Sequence, residues 1–129
     1  MYSELKDKII ITGNISDKDI YYSYLNSCKI FCTPFKYDGI SLAQVEAMAF
    51  GNVPVVTDFP GTRICTENGK YGFLFPPNDV NRLNIILKDL INDNEKIRKY
   101  SIGIKEFTEK NLKWDNIIKT LDLHTYIST

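Results

Sequence analysis

The sequence predicts an α/β domain: a parallel sheet of about four strands, helices on its faces and a helical C-terminal tail. Three observations carry that expectation. Short β-branched runs alternate with stretches of helical periodicity. Runs such as "IIIT" and "PVVT" suit strands covered on both faces. Glycines and prolines gather at one end of the strand–helix units, while the other ends are terse. With no repeat, low-complexity segment or internal linker, residues 1–129 read as one domain, with 94–129 as the helical tail.

Each element has its own signal. "KIIITG", from Lys8 to Gly13, is a β-branched run closed by glycine and is expected as the first, buried strand. In "NISDKDIYYSYLNSC" Ser16 is expected to cap a helix, with Asp19 three residues on and Ile20, Tyr21, Tyr24 and Leu25 on one face. "KIFCTP" is the second strand, stopped by Pro34, and "FKYDG" a loop. "SLAQVEAMAFG" is a helix capped by Ser41 and ended by Gly51. "NVPVVTD" is the third strand, with Pro54 at its start, where a missing amide is tolerated. "FPGTRICTENGKYG" reads as a long loop turning at Gly61, Gly69 and Gly72, and "FLFPP" as a short fourth strand. Helices follow over Val80 to Asn92 and Asn94 to Asn111, with a tail from Trp114. Leu83, Ile86, Leu87, Leu90 and Ile91 form an apolar stripe on the first of them.

Composition narrows the function. Lys plus Arg and Asp plus Glu both number 16, so the chain is formally neutral and has no basic block to suit nucleic acid. Cys28, Cys32 and Cys65 are an odd count with no signal-peptide pattern. Reduced thiols and a cytoplasmic location follow, with a membrane-peripheral position as the alternative. There is no CxxC pair and a single histidine, His124, so no metal site is expected. No run approaches the roughly 18 apolar residues of a transmembrane span.

In an open parallel sheet, ligands bind beyond the carboxyl ends of the strands. The loops there are Gly13–Asn14, Pro34 to Ile40, Thr57 to Arg63 and Pro76 to Asp79. The second feeds a helix whose first amides, at Ser41 to Ala43, lack intrahelical partners, and Gly39 lets the backbone approach an anion closely. A phosphate suits that position. Asp38 and Glu46 flank it, eight residues apart, so both can face one cleft if the loop bends back. Carboxylates beside a phosphate site suit hydroxyl groups, and hence a sugar or ribose on either side of the phosphate. The plainer alternative is that Asp38 caps the turn and Glu46 pairs with a nearby lysine.

The string from "NISDKD" to "FPPND" resembles the C-terminal, donor-binding half of retaining GT-B glycosyltransferases of the group 1, or family 4, type. The motifs that carry the likeness are Asp38, seven residues, Glu46, then "AMA", "GNVPVV", "TDFPGTR" and "NGKYGFLFPPND". The likeness covers roughly Lys8 to Lys88 and implies a Rossmann-like, partial GT-B C-terminal domain. It implies a nucleotide diphosphate sugar as donor substrate, no metal or other cofactor, and a glycan or lipid-linked acceptor, as in polysaccharide biosynthesis. Glu46 would hold the ribose hydroxyls and Asp38 would stand beside the donor sugar, the two residues expected to carry catalysis. Amides around Gly39, Ile40, Ser41 and Leu42 would meet the diphosphate. Gly13 would line the cleft, and Thr33 to Phe35 would lie near the nucleoside.

The sequence also departs from the family. The first acid is Asp38 rather than glutamate, and Ile64 stands where another glutamate is common. The family places two strands, a basic Arg/Lys pair and an acceptor domain ahead of "IIITG". In its strand order, 3-2-1-4-5-6, those two strands lie between "IIITG" and "KIFCTP". The chain is therefore expected to pair these runs directly, borrow strands from another molecule or leave an exposed edge. A missing N-terminal half, a partner subunit or a homo-oligomer would complete it, and alone it is expected to be inactive. The rival expectation is a non-catalytic nucleotide-binding or interaction module of glycosyltransferase descent. Arg63 reads as an exposed loop residue, Trp114 and the Tyr21–Tyr22–Tyr24 cluster as packing or interface, His124 as solvated and Cys32 as inert.

Overall fold

The computed structural model describes residues 2–34 and 39–113. The readings that fall on Phe35, Asp38, Trp114 and His124 lie outside them. A short helix α1 (Tyr2–Leu5) runs into a 3-10 turn (Lys6–Lys8) and an irregular stretch. Then come α2 (Lys18–Ser27), β1 (Ile30–Thr33), α3 (Leu42–Ala49), β2 (Val53–Thr57), α4 (Pro60–Thr66), β3 (Phe73–Phe75), α5 (Val80–Ile91) and α6 (Asn94–Asn111). The expected α/β class is what the chain adopts, with three parallel strands among the described residues, in the order β1-β2-β3.

β2 is the centre of the molecule. Ile30 lies opposite Val53 in β1, and Val55 opposite Phe73 in β3. All five β2 residues are buried, so both sheet faces are covered there. The Val53 amide donates to the Lys29 carbonyl at 2.9 Å. In a parallel ladder Val53 and Val55 therefore bond β1, and the missing amide of Pro54 falls on the other edge, before β3 begins. The core around β2 joins Met48 of α3, Cys65 of α4, Phe75, Ile86 and Leu90 of α5, and Ile104 of α6. Burial pushes the Cys65 thiol up to about 11, so it packs as an inert small hydrophobe.

The last two helices form as the sequence indicates. Asp79 and Asp93 cap them, accepting from the Arg82 and Lys96 amides at 2.9 and 3.0 Å. Ile86 and Leu90 point inward, whereas Ile91, expected in the same stripe, is 64% exposed. α6 crosses the end of α3 so closely that a Cβ on Gly51 would lie 2.8 Å from the Lys105 side chain. Gly51 also carries φ +83, the left-handed region that favours glycine. Tyr71 stacks on Phe107 at 4.2 Å, fastening the α4–β3 connection to α6.

Four expectations need correction. The run Lys8–Gly13 is not a strand: Lys8 ends the 3-10 turn, Ile10 and Ile11 are 75% and 79% exposed, and the sheet has three strands. A β-branched run becomes a strand only when a neighbour completes its ladder, and among the described residues none does. For the same reason β1 is half-buried, and Cys32 on it is exposed. Asp17, not Ser16, caps α2, accepting from the Asp19 amide at 2.9 Å. That helix buries Leu25 and leaves Ile20 and Tyr24 exposed, while Tyr22 packs on Phe50. Finally, the supposed loop after β2 contains α4, with Pro60 at its first position, where the absent amide costs nothing.

Candidate functional site

The carboxyl ends of the three strands open onto the α3 and α4 N-termini. Ser41 has an extended backbone and its hydroxyl accepts from the Gln44 amide at 3.3 Å, so the predicted cap of α3 is present. The cap uses the Ser41 side chain and leaves the first-turn amides of Leu42 and Ala43 outside the intrahelical ladder. Leu42 is exposed, while Ile40 is half-buried and packs against the core. Gly39 and Ile40 are thus anchored on one side and open on the other.

What anchors them is α4. A Cβ on Gly61 would collide with the Gly39 carbonyl and would lie 3.0 Å from the Ile40 nitrogen. The two backbones touch only because Gly61 has no side chain. Thr62, the next residue, fixes the start of α4. Its hydroxyl accepts from the Phe59 amide at 2.9 Å and reaches the Thr57 carbonyl at 2.6 Å. So "PGT" has three jobs in three residues: Pro60 starts the helix, Gly61 admits the neighbouring loop and Thr62 ties it to β2. Arg63 sits on this helix rather than in a loop, paired with Asp58 at 2.6 Å.

Glu46 lies on α3, half-buried, between α2 and α6. The Tyr21 hydroxyl lies beside it; burial and, after it, the Glu46 carboxylate push the Tyr21 hydroxyl up to about 12. Tyr21 therefore stays neutral beside the carboxylate through the physiological range. On the other side Glu46 borders a groove of about 520 Å³ with Lys105, Thr108, Glu109 and Lys113. A separate cleft of about 500 Å³ lies at the carboxyl edge between Pro34, Thr57, Phe59, Phe75, Pro77 and Leu83.

Of the residues singled out in the sequence, Gly39, Ile40 and Ser41 form one continuous turn into α3, with Leu42 and Glu46 following on the helix. Gly13 stands apart in the exposed stretch before α2, with nothing within 4 Å of its Cβ position. Phe35 and Asp38 lie outside the described residues. Sequence reasoning missed Tyr21 as the partner of Glu46, because nothing local links positions on two helices. It also missed Gln44, which is fully buried with its carboxamide oxygen unpartnered at the first turn of α3. Among the described residues no cluster of His, Cys, Asp and Glu could hold a metal, and no helix is long and apolar enough to cross a membrane. The exposed Cys32 thiol is raised by partial desolvation, opposite to what a reactive thiolate needs.

Comparison with known proteins bears directly on this arrangement. The family model described as "Glycosyl transferases group 1" matches residues 3–107. An uncharacterized glycosyltransferase of Haemophilus influenzae is 28% identical over 126 residues, covering 89% of this chain and 34% of that protein. The MMP alpha-(1->4)-mannosyltransferase of Mycolicibacterium hassiacum is 26% identical, covering 88% of this chain and 28% of the relative. The sulfoquinovosyl transferase SQD2 of Arabidopsis thaliana is 30% identical over 105 residues, 78% of this chain and 20% of the relative. The chain thus spans about a third or less of the length of these relatives. With a family match that runs from α1 through most of α6, the chain belongs to the group 1 glycosyl transferases.

Proposed function

We propose that this chain is the donor-binding part of a retaining glycosyltransferase, holding a nucleotide diphosphate sugar while a hexose passes to a glycan or lipid-linked acceptor. The observation that carries the reading is the turn Gly39–Ile40, pinned on Gly61 and leading into α3 with Glu46 farther along the same helix. In this reading the open first-turn amides of α3 and the positive end of its dipole take the diphosphate. Glu46 accepts from the ribose hydroxyls, with Tyr21 holding its carboxylate in place. Gly13 and Phe35 line the nucleoside side, and Asp38 stands beside the donor sugar. Transfer then rests on orienting the donor and stabilising the charge that develops on the leaving diphosphate. The acceptor site belongs to an N-terminal half or partner subunit.

The named activities of the relatives differ in the sugar moved, mannosyl in one and sulfoquinovosyl in another, so the hexose stays unassigned. A second reading, a nucleotide-binding module without catalysis, draws on Ile64, which is 40% exposed on α4 where the resemblance leads one to expect an acid.

Calorimetric titration of UDP and GDP into the chain tests the proposal, with Glu46→Ala beside it. Hydrogen bonds to a charged group are worth about 1.5–3 kcal/mol, so losing those to a ribose diol should weaken binding by about 100-fold. Saturable binding of one nucleotide, lost in the variant, supports the reading. Binding that Glu46→Ala leaves unchanged defeats it.

A further inference from the structure

The starts of α3 and α4 differ in one hydrogen bond. In α4 the third helical residue, Thr62, turns its hydroxyl back to accept from the Phe59 amide at 2.9 Å. The matching residue of α3 is Gln44, and "SLAQ" carries the Ser-x-x-Gln pattern whose two ends can bond reciprocally. One half of that box is made: the Ser41 hydroxyl accepts from the Gln44 amide at 3.3 Å. The other half is open. Among the described residues the Ser41 amide donates to nothing, and the Gln44 carboxamide oxygen is buried without a partner. The carboxamide nitrogen meets the Met48 sulfur at 3.9 Å, a poor exchange for water.

A carboxamide with no exposed surface and no partner for its oxygen is costly to the fold. A methionine, unbranched and similar in length, would fill the same place without that cost. What the inward pose does provide is a free Ser41 N–H, beside those of Leu42 and Ala43, at a half-buried position that an anion can reach. We propose that Gln44 is a positioning residue that gates the diphosphate wall, an inference that rests on the donor-binding reading above. Turned inward, Gln44 leaves the Ser41 amide to the diphosphate. Turned outward, it closes the capping box and takes that amide itself. The ligand-free chain exchanges between the two poses and the nucleotide binds the inward one, so the outward share lowers the apparent affinity.

Calorimetric titration of UDP and GDP into the native chain, Gln44→Met and Gln44→Glu tests the gate, with NMR amide exchange on the ligand-free proteins beside it. Gln44→Met keeps the side-chain length but loses the oxygen that competes for Ser41. Removing one hydrogen bond's worth of competition should tighten nucleotide binding by about 2- to 10-fold. In Gln44→Glu the carboxylate resists burial and is favoured at a helix start, so it stays outward and weakens binding by about 10-fold or more. The Ser41 amide, referred to the Ala47 amide of the same helix, should exchange fastest in Gln44→Met and slowest in Gln44→Glu. Affinity and exchange rate thus follow one order, with Gln44→Met above the native chain and the native chain above Gln44→Glu. Any other order in either measurement overturns the inference. A Gln44 that only packs would leave the affinity of Gln44→Met equal to that of the native chain, which overturns the gate alone. A native chain that binds neither nucleotide defeats the donor-binding reading, and the gate with it.

Discussion

Residues 44–112 and residues 4–34 are built to different standards. Beyond residue 43 every element places side chains in one core, and Met48, Val53, Val55, Leu90 and Ile104 have no exposed surface. Among the described residues before 35 the only buried hydrophobic side chain is Leu25, while Leu5, Ile9, Ile10, Ile11, Ile20 and Tyr24 face solvent. Composition does not separate the two regions; partners do. Among the described residues β2 has a strand on each side and helices over its faces, whereas β1 has one neighbour. Apolar residues become a core only where other elements can close over them. The Glu46 wall stands where the regions meet, with α2 from the open side supplying Tyr21 and α4 from the packed side supplying Gly61.

The largest effect that sharpens this contrast is expected at Leu90. Leu90→Ala removes a fully buried side chain from the packed region and should cost about 2–5 kcal/mol. Ile20→Ala, on the exposed face of α2, should cost no more than about 0.5 kcal/mol. Urea denaturation of both variants checks the pair, and equal losses would erase the distinction between the regions. Gly61→Ala comes next. Alanine is the better helix former, so propensity alone predicts a gain, but its Cβ would strike the Gly39 carbonyl. A loss of about 1–3 kcal/mol is expected, with weaker nucleotide binding, because the turn into α3 must shift. A stabilised variant would show that α4 does not hold the turn.

The smallest effect concerns the seam at Tyr21. Its folded pKa of about 12 lies above the ordinary tyrosine value of 10.0, so on raising the pH the unfolded chain loses this proton first. The stabilisation is therefore complete below pH 10 and is lost between about 10 and 12. Tyr21→Phe should flatten that alkaline decline in melting temperature. An unchanged decline would mean that the hydroxyl is not held against Glu46.

Much of the packed region was legible in the sequence because its signals are local. Ser41, Asp79 and Asp93 announce helix starts, Pro34 ends a strand, and the spacing of Ile86 and Leu90 marks one helical face. α4 escaped notice because the glycines of "FPGTRICTENGKYG" outweighed the Pro60 start signal; Gly61 serves a close contact there rather than a turn. The run at Ile9–Ile11 misled in the opposite way, since β-propensity describes a residue and a strand needs a neighbour. In the candidate site, the cap at Ser41 and the turn before it were readable locally, and Glu46 was singled out by its spacing from Asp38. Tyr21 and the buried Gln44 were not, because their roles depend on contacts between elements or on burial that no short pattern encodes.

We propose that the turn Gly39–Ile40 and helix α3 form the nucleotide wall. Hydrogen exchange of the chain with and without saturating UDP or GDP tests it most directly. Slowed exchange is expected to concentrate in Gly39–Glu46 and in the start of α4 at Pro60–Thr62, where the two backbones touch. Nucleotide binding that instead slows exchange around Phe75–Leu83, and leaves Gly39–Glu46 unchanged, would contradict it.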